Sequence, residues 1–174
     1  HLGQTFGEDS SMVETFGRVF EPSPINLKLQ ANGVEQMVEV TAIEGTKGVP
    51  ETVCFNLVCG SFDRLEMPNS VLMSEKFART HGLQLDDVVQ TEGGESYTIV
   101  GIFEDFAKNC DFYDLQMFQS VAPDGWDEAG NWNYTYLYKL KEAWMKEAFL
   151  ESLYPKYLEF KKSRDRMIHE WKGI

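Results

Sequence analysis

Between Val34 and Ile43, Val34, Val38, Val40 and Ala42 fall largely in alternation with Glu35, Glu39 and Thr41, the period of two expected of a half-buried strand. The residues before it carry no such pattern. Residues 1–33 are rich in Gly, Ser, Asn and Pro, and Pro22 and Pro24 restrict the backbone. Only a short extended piece around Ile25–Leu29 is predicted there, within an otherwise loosely ordered segment. From Glu51 to Val58, the apolar Val53, Cys54, Leu57 and Val58 are spaced nearly as on a helix. That spacing predicts a short helical turn which Gly60 ends.

The middle of the chain is more explicit. Ser70–Met73 is a short apolar run, Ser74 is suited to cap a helix, and Gly82 is suited to follow its end, so the pattern predicts a strand and then a helix over about Glu75–His81. Val88–Thr91 and Tyr97–Phe103 flank Glu92-Gly93-Gly94-Glu95, which predicts a β-hairpin because paired glycines take positive φ without a Cβ clash. Asp111–Ser120 places Phe112, Leu115, Met117 and Phe118 in an order that fits helix or strand, Pro123–Asn131 is a polar loop, and Trp132–Leu140 reads as a strand. Beyond it, Trp144, Ala148, Phe149, Ser152 and Leu153 form an apolar stripe on a helix that Pro155 caps, kinks or restarts. Met167, Ile168 and Trp171 suggest a second helical piece. Separate helices and mainly hairpin-linked strands make this an α+β chain.

Composition and charge narrow the function. The 174 residues hold 16 Lys plus Arg against 28 Asp plus Glu, a net charge of −12 that repels phosphate backbones, so nucleic acid is excluded as a partner class. The charge is unevenly placed. Residues 141–174 carry eight basic and six acidic side chains, a net +2 that leaves −14 on residues 1–140. No stretch reaches the roughly 18 apolar residues of a membrane helix, and the first residues lack the layout of a signal peptide. The chain begins at His1 without a Met, as expected of a fragment from which such segments were cut. Cys54, Cys59 and Cys110 match no zinc or disulfide framework and read as mostly buried thiols, with one disulfide and a leftover thiol as the alternative.

Little conventional active-site chemistry is present. His1, His81 and His169 are isolated, and there is no G-x-G-x-x-G, no G-x-x-x-x-G-K-[ST] and no G-x-S-x-G. Glu104 and Asp105 are adjacent, so on a strand they point to opposite faces instead of converging as acid and base. The loop Asp124-Gly125-Trp126-Asp127-Glu128 has oxygen ligands but not the spacing of a calcium loop. No catalytic residue, cofactor or metal is expected. The aromatic strand is the candidate surface: Trp132, Tyr134, Tyr136 and Tyr138 alternate with Asn133, Thr135, Leu137 and Lys139, projecting four rings from one face. With Trp126 nearby in sequence, that face is either a ligand or partner platform, as in a secreted carbohydrate- or peptide-binding module, or the core face of a sheet.

The order of motifs adds a resemblance. The run Pro68-Asn69-Ser70-Val71-Leu72-Met73-Ser74-Glu75-Lys76-Phe77-Ala78-Arg79, followed by Glu95-Ser96-Tyr97-Thr98-Ile99-Val100-Gly101-Ile102-Phe103-Glu104-Asp105-Phe106, resembles the extracytoplasmic domain of MacB/FtsX-like ABC transporter permeases of the Bacteroidetes type. Lys108-Asn109-Cys110-Asp111-Phe112 and Asn133-Tyr134-Thr135-Tyr136-Leu137-Tyr138-Lys139-Leu140-Lys141 continue it. Residues 50–155 are covered well and 1–49 loosely. The family's turn with Pro and Gly-Lys is absent from Gly82–Val88.

The resemblance implies two small α+β lobes with a mixed or antiparallel sheet, a central β-hairpin and helices packed on one side. It divides the chain into a loosely ordered segment 1–33 after a membrane helix, a periplasmic core domain 34–160, and a basic segment 161–174 leading towards a second membrane helix. It implies a module at the periplasmic face of the inner membrane that transmits conformational change in efflux or lipoprotein export. The implied partners are the permease's own transmembrane helices and a cytoplasmic ATPase, with a second permease copy and a periplasmic adaptor or lipoprotein beyond these.

Overall fold

The structure is a computed structural model that describes residues 10–20, 22–121 and 134–172, with backbone alone at 160 and 163–172. Two compact units are present, one made of His1–Phe16 with Tyr138–Ile174 and the other of Gly17–Leu137. The strands are β1 (Val13–Phe20), β2 (Ser23–Ala31), β3 (Val34–Gly45), β4 (Leu57–Gly60), β5 (Ser70–Ser74), β6 (Val88–Thr91), β7 (Ser96–Phe103), β8 (Met117–Ser120) and β9 (Tyr134–Leu140). The helices are α1 (Val49–Thr52), α2 (Glu75–Thr80) and α3 (Lys146–Lys172), with 3-10 turns at Phe62–Glu66 and Ala143–Met145. The α+β class holds.

In the 17–137 unit the sheet is mixed, with β5 parallel to β7, β8 parallel to β3, and the remaining pairs antiparallel. Successive pairing runs β2-β6-β7-β5-β8-β3, and β3 pairs β2 again, so six strands return on themselves. Both faces of the central strands are covered. One core gathers Leu27, Val40, Val71, Met73, Ile99 and Met117 with Phe77 and Ala78 of α2. The other gathers Ile43, Leu72, Val100, Phe103 and Phe118 with Val49 of α1, so the two short helices serve different cores. Burial on both faces is why β5 and β7 read as continuous apolar runs.

A register shift in β7 decides how its residues are shared. Val71 is opposite Ile99 while Leu72 is opposite Gly101, leaving Val100 as the extra residue of a bulge. Parity therefore flips at the bulge: Ile99 and Ile102 enter one core, and Val100 and Phe103 the other. Gly101 lies opposite Gly60 of β4. Gly60 thus closes a strand against the bulge, where the sequence spacing predicted a helix end; the run Val53–Val58 spans the exit of α1 and the start of β4.

The local signals in the middle of the chain are realised. Ser74 Oγ accepts from Phe77 N at 3.2 Å and Asp105 Oδ2 accepts from Lys76 N at 2.9 Å, so two side chains satisfy the first turn of α2. Gly82 (φ +64°) follows it. Gly94 (φ +91°) turns the β6–β7 hairpin, with Thr91 N donating to Glu95 O at 2.8 Å.

The N-terminal segment differs from its expected loose order, because β1 and β2 occupy most of its described residues. Asn32 (φ 54°) and Gly33 (φ 77°) form a two-residue turn of the type that matches strand twist, and β2 pairs β3 from Ala31↔Val34 to Ser23↔Ala42. Replacing Asn32-Gly33 by Ala-Ala is expected to lower stability by about 1–2 kcal/mol, read as a lower urea midpoint at unchanged slope.

In the other unit, Lys141 N donates to Met12 O at 2.9 Å and Lys139 lies 3.5 Å from Glu14. Helix α3 runs through Pro155 as one element, which excludes the cap and the restart. Of the predicted stripe, Phe149 is buried, with its ring 4.9 Å from that of Tyr138, while Trp144 is 77% exposed.

Candidate functional site

The aromatic strand meets a residue that the sequence reading did not single out. In β1, Val19 enters the second core while Arg18 and Phe20 take the other face. In β9, Leu137 packs against that same core, and Tyr134 and Tyr136 take the opposite face. Arg18 is 3% exposed, and its guanidinium carbon lies 6.0 Å from the ring centroid of Tyr134 and 5.7 Å from that of Tyr136. The two rings are 5.6 Å apart and T-shaped, and Phe20 meets Tyr134 edge-on at 6.2 Å. The backbone at Arg18 is fixed by Thr46, whose Oγ1 accepts from Arg18 N and whose N donates to Arg18 O, both at 2.9 Å.

This cluster holds a buried, delocalised cation against electron-rich faces. Tyr134, Tyr136 and Tyr138 are all half-buried, and each ring is engaged by side chains of its own chain. Trp126 and Trp132 lie outside the described residues, as does the Asp124–Glu128 loop. Replacing Arg18 by Met keeps much of the volume but removes the charge and the planar donor fork. A loss of about 1–3 kcal/mol is expected from two contacts of this kind, measured by thermal melting of both proteins. The local signal for Arg18 is the run Val13–Phe20 around it, rich in β-branched and aromatic residues and broken by a single glycine.

The carboxylates adjacent in sequence do not converge. Glu104 accepts from Asn56 Nδ2 at 2.6 Å, whereas Asp105 caps α2. The His81 ring lies tilted against Phe77, with centroids 4.4 Å apart, and among the described residues no group of three or more His, Cys, Asp or Glu could hold a metal ion. The thiols correct an expectation: Cys54 and Cys59 are exposed, Cys110 is half-buried, and all three are free. Cys54 has φ +60° at the exit of α1, and Cys59 sits on the short strand β4, whose exposed residues face away from both cores. Among the described residues, no helix is long and apolar enough to cross a membrane.

No protein-family model matches the sequence, and no curated protein does. Solved structures do match. A domain of a protein named as a permease from Porphyromonas gingivalis superposes with a TM-score of 0.65 at 21% identity, over 86% of this chain and 67% of its own. The periplasmic region of MacB from Actinobacillus actinomycetemcomitans gives 0.59 at 10% identity, over 87% and 70%. The extracellular domain of the noncanonic ABC-type transporter YknZ from Gram-positive bacteria gives 0.55 at 10% identity, over 84% and 76%. The chain therefore has the fold of permease extracytoplasmic domains.

Proposed function

We propose that the chain is a non-catalytic extracytoplasmic domain of an ABC transporter permease, at the periplasmic face of the inner membrane. The observation that carries this reading is the fold shared with three transporter domains over more than four fifths of the chain. The motif series from Pro68 to Lys141 supports it independently of the coordinates.

In this reading, the basic segment 161–174 leads towards a membrane helix. Movement of membrane helices driven by a cytoplasmic ATPase reaches the unit that contains both ends of the chain, where β1 and β9 begin and end. Both strands continue along the chain into the 17–137 unit. The domain then alters its contacts with exported substrate, a periplasmic adaptor, a lipoprotein or a second permease copy, in efflux or lipoprotein export. Nucleotide hydrolysis belongs to the ATPase.

The test is co-purification. The full-length gene product, solubilised from membranes in detergent, is expected to bring down an ABC ATPase, and the 174-residue chain alone is expected to hydrolyse no ATP. A full-length product that purifies without any ATPase, or hydrolysis by the isolated chain, contradicts the reading.

A further inference from the structure

Within the 17–137 unit, β3, α2 and the residues before β8 enclose a cleft of about 380 Å³, at the small end of the range of sites that hold one ligand. Its floor is apolar, made by Val38, Phe77 and Leu115, of which Phe77 and Leu115 are 5% and 3% exposed. Several polar groups of the walls are already engaged in fixing their shape. Asp105 caps α2, Thr80 Oγ1 donates to Lys76 O at 2.8 Å, and Gln116 Oε1 accepts from Thr41 N at 2.9 Å.

The rim is different. Glu39 and Asp114 are among the residues that line the cleft, are exposed, and have carboxylates with no hydrogen bond or ion pair among the described residues. Tyr113, 56% exposed, presents an aromatic ring beside Asp114. On the α2 wall, the ammonium of Lys76 has no acceptor among the described residues.

We propose that this cleft takes the side chain of a lysine or arginine presented by an extended polypeptide. Such a side chain has an apolar stem and a charged head, which matches an apolar floor below two uncommitted carboxylates. The Tyr113 ring adds an attractive face for the cation, and Lys76 supplies a donor for a carbonyl oxygen of the same peptide. The net −14 of residues 1–140 draws a cationic segment towards this body and repels an acidic one. The proposal does not rest on the transport reading, because it concerns the isolated chain.

The test is a titration of the ¹⁵N-labelled chain followed by NMR, with three probes: the capped peptides acetyl-Ala-Arg-Ala-amide and acetyl-Ala-Glu-Ala-amide, and n-butylamine. The arginine peptide is expected to give saturable shifts confined to the amides of residues 38–41, 76–81 and 113–116, weakening as salt is raised. Glu39→Gln with Asp114→Asn replaces exposed carboxylates by isosteric amides, and is expected to weaken binding about three- to tenfold. Tyr113→Ala is expected to weaken it independently of those two charges. Equal shifts with the glutamate peptide, or affinity unchanged in the double variant, overturn the proposal. Equal affinity for n-butylamine also overturns it, because the site then recognises an alkylammonium and not a peptide.

Discussion

Replacing Gly60 by alanine is expected to lower the unfolding free energy by about 4 kcal/mol, combining a side chain at a glycine-only backbone angle with overpacking of a closed strand pair. Gly60 has φ +90°, and a Cβ there would lie 2.3 Å from Val100 O and 2.5 Å from Gly101 Cα. Both of those atoms are backbone, so no rotamer change relieves the contact. Gly94 provides the control, since its φ is +91° but a Cβ there meets nothing within 4 Å. Gly94→Ala keeps the angular strain without the clash and is expected to lose only about 1 kcal/mol. Urea unfolding of the three proteins measures the difference. Equal losses at the two positions would show that β4 does not lie against the β7 bulge as closely as described.

The second large effect is in the core served by α1. Phe103 is fully buried, with its ring 4.8 Å from Phe55 and 5.9 Å from Phe106. Phe103→Ala is expected to destabilise by about 3–5 kcal/mol through lost burial and the cavity left behind. Phe103→Leu retains most of the volume and is expected to lose less than about 1.5 kcal/mol. The same denaturation series reads both, and a small loss for alanine would mean that the aromatic cluster collapses to fill the space.

What the sequence made legible was local and satisfied by neighbours in the chain. Ser74 and Gly82 bracket α2, and Gly93-Gly94 turns the β6–β7 hairpin, because caps and tight turns are decided within a few residues. The alternation from Val34 to Ala42 survives as β3 for the same reason. Long-range pairing was less visible. Pro22 and Pro24 held the expected extended piece to about Ile25–Leu29, yet Pro24 lies in β2 opposite Thr41 of β3, and on the other side β2 meets β6 only at Leu27 and Lys28, so the missing N–H removes no bond to β6. The helical spacing of Val53, Cys54, Leu57 and Val58 concealed β4, which exists because β7 supplies its partner.

The aromatic face shows how strand alternation alone leaves a question open. Alternation separates Tyr134 and Tyr136 from Leu137, but it does not say which face meets a core. Leu137 and Val19 do so, and the tyrosines meet Arg18 instead, a partner over a hundred residues away in sequence. The permease resemblance was legible because it depends on motif order over residues 50–155, a span over which no single residue pair has to be known.

The thiols Cys54 and Cys59, both exposed, allow the most direct test of the central claim, that this chain is an extracytoplasmic domain of a membrane-embedded permease. The measurement is labelling of the full-length protein in intact spheroplasts with a membrane-impermeant maleimide after mild reduction, read on the carbonate-washed membrane pellet. The account predicts labelling without lysis, retention in the pellet, and loss of most of the label when both cysteines are replaced by serine. Label that reaches these cysteines only after lysis, or a protein released by carbonate, would contradict it.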